Sequence, residues 1–391
     1  MPVLNRIADF HAELTAWRQD FHRHPELGFE EHRTSALVAE RLRAFGVDEV
    51  ITGIAKTGVV GVIRGSTPGP RAIGLRADMD ALPILEETGL PYASAQSGTM
   101  HACGHDGHTT MLLGAARYLA ETRNFAGTVY VIFQPAEEGQ AGGAVMVKEG
   151  LFQRFPMEMV FGLHNWPGEP AGTFQWREGP IMAACSSIQI DITGRGGHAA
   201  MPHTCIDPIV IAAQIVTALQ GIVARSIEPA EAGVITIGQI NGGHARNVIP
   251  ETVSMGGTGR WFAPEVGDAL ERGVRRIATG IAESLGGRAE VRYERTYLAT
   301  VNDPAATALT VQAAQAVAGE NRVRHWPKPT MGGEDFSFML AAKQGSYIIL
   351  GGGRAEGEPM LHHPRYDFND AILPAGASYW ATLAEQILPR G

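Results

Sequence analysis

The sequence predicts an α/β protein. Its main domain is a mixed, mostly parallel sheet flanked by helices, interrupted by an inserted βαββαβ unit of ferredoxin-like type. Three observations predict this. Short apolar runs alternate with helical patterns from residue 59 to residue 163, and such alternation implies a largely parallel sheet covered on both faces. From residue 187 to residue 298 the order changes to β-α-β-β-α-β, the split βαβ arrangement. From Pro304 onward, helix and strand alternate again. The expected division is 1–185 and 299–391 for the main domain, with 186–298 as the insert.

Taken in order, Leu4, Ile7, His11, Leu14, Trp17 and Phe21 recur at helical spacing, and Pro25 ends that helix. A second helix is expected over 31–45, stopped by Gly46. Strands are expected at 59–63, 71–77, 128–133 and 159–163, with helices at 109–121 and 143–149. In the insert, Ile188, Ile190 and Ile192 alternate with Gln189 and Asp191, which marks a half-buried strand. A helix over 207–226 opens with Pro208 in its first turn. Strands at 234–240 and 251–262, a helix over 264–285 and a strand at 289–298 complete the unit. The main domain resumes with 305–318, 336–343, 347–350 and 375–388. The Gly-rich stretch 351–359 comes nearest to a linker.

Composition narrows the class. Apolar residues at 45% and charged residues at 19% of 391 are those of an ordinary globular enzyme. A net charge of −9 disfavours nucleic acid or an anionic membrane as the principal partner, since both need a basic patch. The first five residues lack a basic region and an apolar core, so no secretory signal is expected. No window approaches 18 uncharged apolar residues, so no membrane span is expected. Three widely spaced cysteines, Cys103, Cys185 and Cys205, suit a reducing compartment, and the cytoplasm is the expected location.

Residues 100–108 read Met-His-Ala-Cys-Gly-His-Asp-Gly-His, the densest run of metal-binding groups in the chain. Cys103 and His105 can both be ligands if the backbone at Gly104 is irregular. A polar loop capping the next helix would explain single histidines equally well. Asp78 and Asp80, Glu137 and Glu138, and His164 each follow a predicted strand, where ligands gather in α/β sheets. Adjacent Glu137 and Glu138 point in different directions, so one can bind metal while the other serves as a base. An acidic turn is the alternative for that pair, a buried core histidine the alternative for His164. Either His362 or His363, before Pro364, can add an imidazole, unless the pair is a surface loop. Five donors exceed what one open tetrahedral site needs and suit two metals with a bridging ligand, Cys103 or Glu138. In the insert, a Gly-rich turn exposes His198, and Asn247 and Arg260 are further polar candidates. Arg260 can hold a substrate carboxylate in bidentate fashion or simply face water.

The sequence resembles the hippurate hydrolase and N-acyl-amino-acid amidohydrolase family, a branch of the dinuclear metal aminoacylase and carboxypeptidase superfamily. The matching motifs are His24-Pro25-Glu26-Leu27-Gly28, Arg76-Ala77-Asp78-Met79-Asp80-Ala81-Leu82-Pro83, the 100–108 stretch, Gln134-Pro135-Ala136-Glu137-Glu138-Gly139, Gly162-Leu163-His164, Gly197-His198-Ala199-Ala200-Met201-Pro202-His203 and Gly333-Glu334-Asp335-Phe336. They are ordered and spaced as in the family across nearly the whole chain. The resemblance implies Cys103, His105, Glu138, His164 and His362 as ligands of two divalent ions, Zn²⁺ or Mn²⁺, with Co²⁺ or Ni²⁺ able to substitute in vitro. His362 is chosen over His363 because the family's ligand stands two residues before the proline. Glu137 is then the general base and Asp78 the carboxylate that orients the centre. His198 would reach a neighbouring subunit's active site and stabilise the oxyanion, which makes the insert a lid and dimerisation domain of a homodimer or homotetramer. His101 and His108 fall back to supporting roles.

The implied activity is hydrolysis of small N-acyl amino acids, of N-benzoylglycine or N-acetyl type, to a carboxylic acid and a free amino acid. Deacetylation, or hydrolysis of other aryl-acyl or indole-acyl conjugates, is the nearest alternative. A thiol hydrolase with Cys103 as nucleophile and a non-catalytic metal-binding protein are the alternatives from other classes.

Overall fold

The computed structural model describes residues 4–353, 357 and 359–390. Residues 1–3 and part of the 351–359 stretch therefore lie outside the described residues. The chain forms two compact units. One comprises Met1–Ile181, Thr300–Pro329 and Asp335–Gly391; the other comprises Met182–Ala299 and Thr330–Glu334.

The first unit is built on an eight-stranded sheet. Its order is Glu49–Ile54, Gly58–Arg64, Ala126–Gln134, Thr67–Asp78, Met159–Trp166, Gln344–Gly351, Phe174–Trp176 and Val323–His325. The four strands from Ala126–Gln134 to Gln344–Gly351 run parallel, while antiparallel pairs close the side that begins at Glu49–Ile54 and join Phe174–Trp176 to its neighbour. The parallel strands are apolar on both faces because helices cover both. Ile73, Leu75, Val129, Val131, Phe133 and Phe161 are all fully buried. Helices His105–Thr122 and Leu373–Ile387 pack on this core through Met111, Leu112, Ala377 and Trp380.

Several boundaries differ from the sequence expectation. The first helix is two, Asn5–Asp9 and His11–Arg23, hinged at Phe10. The helix expected from residue 109 begins at His105, because Gly104 in the left-handed region serves as its cap residue. His164 lies inside its strand rather than after it. Short strands such as Phe174–Trp176 and Val323–His325 carry too few residues to show a period and went unread.

The second unit is a four-stranded antiparallel sheet in the order Gly233–Gly242, Thr252–Trp261, Ala184–Thr193, Arg288–Tyr297. Helices Pro208–Ser226 and Pro264–Ser284 supply its other layer. Ile188, Ile190 and Ile192 point into the core against Ile211, Ile215, Leu270 and Val274, while Gln189 and Asp191 face outward. The helix Pro208–Ser226 is long and apolar enough to cross a membrane by length and composition alone, but its Ile211, Ile215, Leu219 and Ile222 stripe is buried on the sheet, as in the core helix of a globular unit. Asp207 caps it by accepting from Ile209 N at 2.9 Å.

Two contacts bind the returning segment around residues 362–370 to the 103–108 stretch. Cβ atoms at Gly104 and Gly107 would strike Asn165 Oδ1 and the Phe368 ring, and at Gly104 the Tyr366 hydroxyl would also lie 2.8 Å away. The fully buried Arg18 adds a third tie. It grips Asp370 (2.6 and 2.8 Å) and Asp367 (3.3 Å) on the returning segment and lies 3.6 Å from Asp106. His22 continues the network to Asp106 at 2.8 Å and Glu86 at 3.3 Å.

Two predictions follow from these ties. Gly104 has φ +92°, so Gly104→Ala combines backbone strain with overlap and should cost about 1–3 kcal/mol, read as a lower denaturation midpoint. Burial disfavours charge on His22, but its hydrogen bonds to Asp106 and Glu86 prevail and raise its pKa from 6.5 to about 9. A raised folded-state pKa gives stability that is complete below 6.5 and lost as pH climbs through 9. The melting temperature should fall across that window, and His22→Gln should flatten the fall.

Candidate metal centre

The carboxyl end of strand Thr67–Asp78 anchors the site. Asp78 and Asp80 are both buried. Successive strand residues alternate faces, so Arg76 and Asp78 share one. Arg76 Nη1 donates to Asp78 Oδ2 at 2.7 Å, Nε to Gln134 Oε1 at 2.9 Å and Nη2 to Asp335 Oδ1 at 3.1 Å. Asp335 also accepts from Gly143 N at 2.7 Å. Asp78 contacts His108 Nδ1 at 2.6 Å, and the far side of that imidazole meets Asn165 at 2.7 Å. His108 is thus held from both sides, between Asp78 and Asn165.

Asp80 takes a different part. Its Oδ1 accepts from Glu137 N at 3.0 Å and its Oδ2 from Glu138 N at 2.9 Å. The chain reaches this pose because Pro135 ends the strand ladder and Ala136 turns at φ 54°. Glu31 holds the turn by accepting from Ala136 N at 2.8 Å. His105 Nδ1 lies 2.9 Å from the Asp80 carbonyl, so its Nε2 faces away from Asp80.

Around these supports the expected donors converge. The ligand atoms of Cys103, His105 and His164 lie within 4.8 Å of one another, and so do those of Cys103, Glu138 and His362. The two triads share Cys103. The ligand atoms of Glu137, Glu138 and His105 also lie within 4.8 Å of one another. Cys103 Sγ is 3.4 Å from His164 Nε2, and His362 Nε2 is 3.1 Å from Glu138 Oε1. His362 reaches in on a backbone at φ 64°, with its N–H donated to the Ala102 carbonyl at 2.8 Å.

The donor set fits divalent metal. His105 Nε2 is fully buried and, among the described residues, makes no hydrogen bond, with Asp78 Oδ2 3.8 Å away; a coordinated cation would satisfy it. Thiolate and imidazole are the ligands that zinc-class ions prefer. Without metal, the groups disturb one another. Burial raises the Cys103 pKa, and Glu138 adds to the rise. Burial opposes charge on His105, yet Asp78 and Cys103 overcome it and raise that pKa. Burial and His108 lower that of His164. Hydrogen bonds to Cys103 and Glu138 raise His362 to about 10.

Glu137 is buried beside these donors, and one of its oxygens lies 3.3 Å from Asp335 N. The sequence offers no role for Arg76, Gln134 or Asp335, and it marks Asp80 only as a strand-end candidate. The signal was present, since all four stand inside the quoted motifs. His101 is buried with neither ring nitrogen hydrogen-bonded among the described residues, and burial lowers its pKa to about 4. The His24–Gly28 motif proves to be a brace. Glu26 caps the helix His32–Ala44 by accepting from Arg33 N and Thr34 N, each at 2.8 Å.

The remaining candidates belong to the second unit. His198 and Asn247 are neighbours: strand Gly197–His198 pairs with Val248–Ile249, and Ala199 N donates to the Asn247 carbonyl at 3.1 Å. Both side chains are exposed. Arg260 lies apart on strand Thr252–Trp261, opposite Cys185.

Comparison with known proteins agrees with this geometry. Residues 74–386 match the model of peptidase family M20/M25/M40. The chain is 40% identical over 390 residues to the hippurate hydrolase of Campylobacter jejuni, covering 99% of this chain and all of that one. It is 38% identical to an N-acetylcysteine deacetylase of Bacillus subtilis, covering 97% and 98% of the two chains. Among solved structures it resembles the Bacillus subtilis YXEP protein, described as a dinuclear metal binding peptidase, with TM-score 0.82, 35% identity and coverage of 97% and 99%. In its sequence motifs and in the fold that presents them, this chain belongs to peptidase family M20/M25/M40.

Proposed function

We propose that this protein is a metal-dependent amidohydrolase that cleaves the amide bond of N-acyl amino acids, releasing a carboxylic acid and a free amino acid. The observation that carries the reading is the pair of donor triads sharing Cys103, with a buried carboxylate, Glu137, beside them. The hippurate hydrolase and deacetylase relatives support the substrate class.

Cys103, His105 and His164 would hold one ion, and Cys103, Glu138 and His362 the other. Zinc or manganese is proposed for both. Bound there, divalent ions would polarise the amide carbonyl and lower the pKa of the attacking water towards ~7. The chain's own residues do the rest. Glu137 accepts the water proton and passes it to the leaving amine. Asp80 fixes the backbone of both glutamates, so the base and the ligand keep their separation. Asp78 holds His108 and Arg76 behind the ligands. His198 is proposed to stabilise the oxyanion from a neighbouring subunit, with Asn247 and Arg260 binding the substrate carboxylate. The insert is then the dimerisation domain, spanning 186–298 between catalytic segments 1–185 and 299–391. Its exposed His198–Asn247 ribbon supports this. A cytoplasmic location is proposed from the three free cysteines. The thiol-hydrolase alternative is disfavoured because Cys103 belongs to both donor triads, where a coordinated metal would occupy its sulfur.

Glu137→Gln should retain both metals by elemental analysis while kcat on N-benzoylglycine drops about 10²–10⁴-fold. Wild-type turnover in that variant would remove Glu137 from the role of base. Metal affinity should tighten as pH rises, because the proton that His362 holds with a pKa of about 10 must leave before it can coordinate. Calorimetry in buffers of different ionisation enthalpy should therefore show proton release on metal addition.

A further inference from the structure

One aromatic cluster at the edge of the candidate centre has no part in the mechanism above. Trp166 lies two residues beyond His164 on the same strand, so the two side chains share a face of the sheet. Their ring centroids are 6.2 Å apart. Trp326 meets Trp166 nearly edge-on, with centroids 5.3 Å apart and planes at 73°. Both rings are only partly buried. Their backbones are pinned: the Trp166 carbonyl accepts from Gly352 N at 2.9 Å, and Trp326 N donates to the Trp176 carbonyl at 2.7 Å. Arg177 Nη1 donates to the Trp326 carbonyl at 3.2 Å and to the Pro327 carbonyl at 3.0 Å. Met360, 45% exposed and two residues before His362, lies near the turn that follows Trp166.

Large, partly exposed indoles on fixed backbones form a rigid apolar surface with little ordering cost on binding. Binding sites are typically apolar walls with a few placed polar groups, and here the polar groups are the donors next door. The wall carries no charge of its own. It therefore suits the uncharged acyl end of an N-acyl amino acid, since the carboxylate end needs a cation or hydrogen-bond donors.

We propose that Trp166, backed by Trp326, is the specificity-determining wall for the acyl group and selects flat aryl acyl groups over small alkyl ones. The proposal rests on the amidohydrolase reading and deepens it. The selection comes from edge-on or offset stacking of the aryl ring on the indole, which an acetyl group cannot provide.

The test compares kcat/KM for N-benzoylglycine, N-acetylglycine and N-acetylphenylalanine in the metal-loaded wild type, Trp166→Phe and Trp166→Leu. Metal content and circular dichroism verify that each variant is folded and loaded. Trp166→Leu should lower the benzoyl-to-acetyl ratio on glycine by about tenfold, the size of one lost aromatic contact. Trp166→Phe should restore most of it, and N-acetylphenylalanine should change no more than N-acetylglycine. Trp326→Leu serves as a second variant and should shift the ratio the same way. An unchanged ratio in folded, loaded Trp166→Leu would overturn the proposal, as would a loss that follows the aromatic amino acid instead. Failure of the wild type to hydrolyse any of the three would instead defeat the amidohydrolase reading itself. Benzoate binding by the wild type and Trp166→Leu, followed by tryptophan fluorescence, gives a readout independent of turnover. Equal affinity in the two would also count against the wall.

Discussion

Two buried carboxylates on one strand end, Asp78 and Asp80, govern the arrangement of everything around them. Removing a carboxylate from water is costly unless its oxygens are fully paired. Each of these is paired, and each pairing places a functional group. Asp80 is satisfied by two consecutive backbone N–H groups, which fixes the Glu137-Glu138 turn. Asp78 is satisfied by Arg76 and His108, which sets a second layer under His105 and His164. The desolvation cost thereby becomes positional order, which hydrolytic chemistry requires of its ligands and its base.

The same logic explains why the metal-free donors are so perturbed. Cys103, Glu138 and His362 crowd together, and hydrogen bonds to Cys103 and Glu138 push the His362 pKa up. A cation bound among them would meet the same negative donors. The cluster is thus preorganised by its neighbours in the fold, with Gly104 allowing Cys103 and His105 to face the same point although two residues apart. Gly107 performs a related service one turn on, where only a missing Cβ lets the Phe368 ring sit against the helix.

Much of this was legible in the sequence. The strand-end positions of Glu137 and Glu138 and the density of donors at 100–108 pointed to one site, and those residues do come together. The inserted unit was legible because the period switches from helical to alternating, as at Ile188, Ile190 and Ile192. What stayed hidden depended on long-range partners. Asp80 resembled Asp78 in sequence, and only the fold shows that it holds two amides contributed by another strand's turn. Arg76 looks like an ordinary strand residue until Asp78 from its own strand and Gln134 and Asp335 from two distant segments surround it. His105 was read as part of a loop, because a left-handed glycine cap sends no signal beyond the glycine itself. Strand Val323–His325 is too short to have a period at all.

The tie between the 362–370 segment and the 103–108 stretch has a consequence for how the protein is made. Chains emerge from the ribosome N-terminus first, and domains tend to fold in that order. Here Cys103, His105, Glu138 and His164 appear early, while His362, Asp367 and Asp370 arrive only after the whole inserted unit has been synthesised. Until then Arg18 lacks the carboxylates of Asp367 and Asp370, and the second donor triad lacks its imidazole. The nascent chain therefore exposes a thiol and an incomplete ligand set for most of its synthesis. The second donor triad is complete only in the finished polypeptide, and a product truncated before residue 362 would lack it.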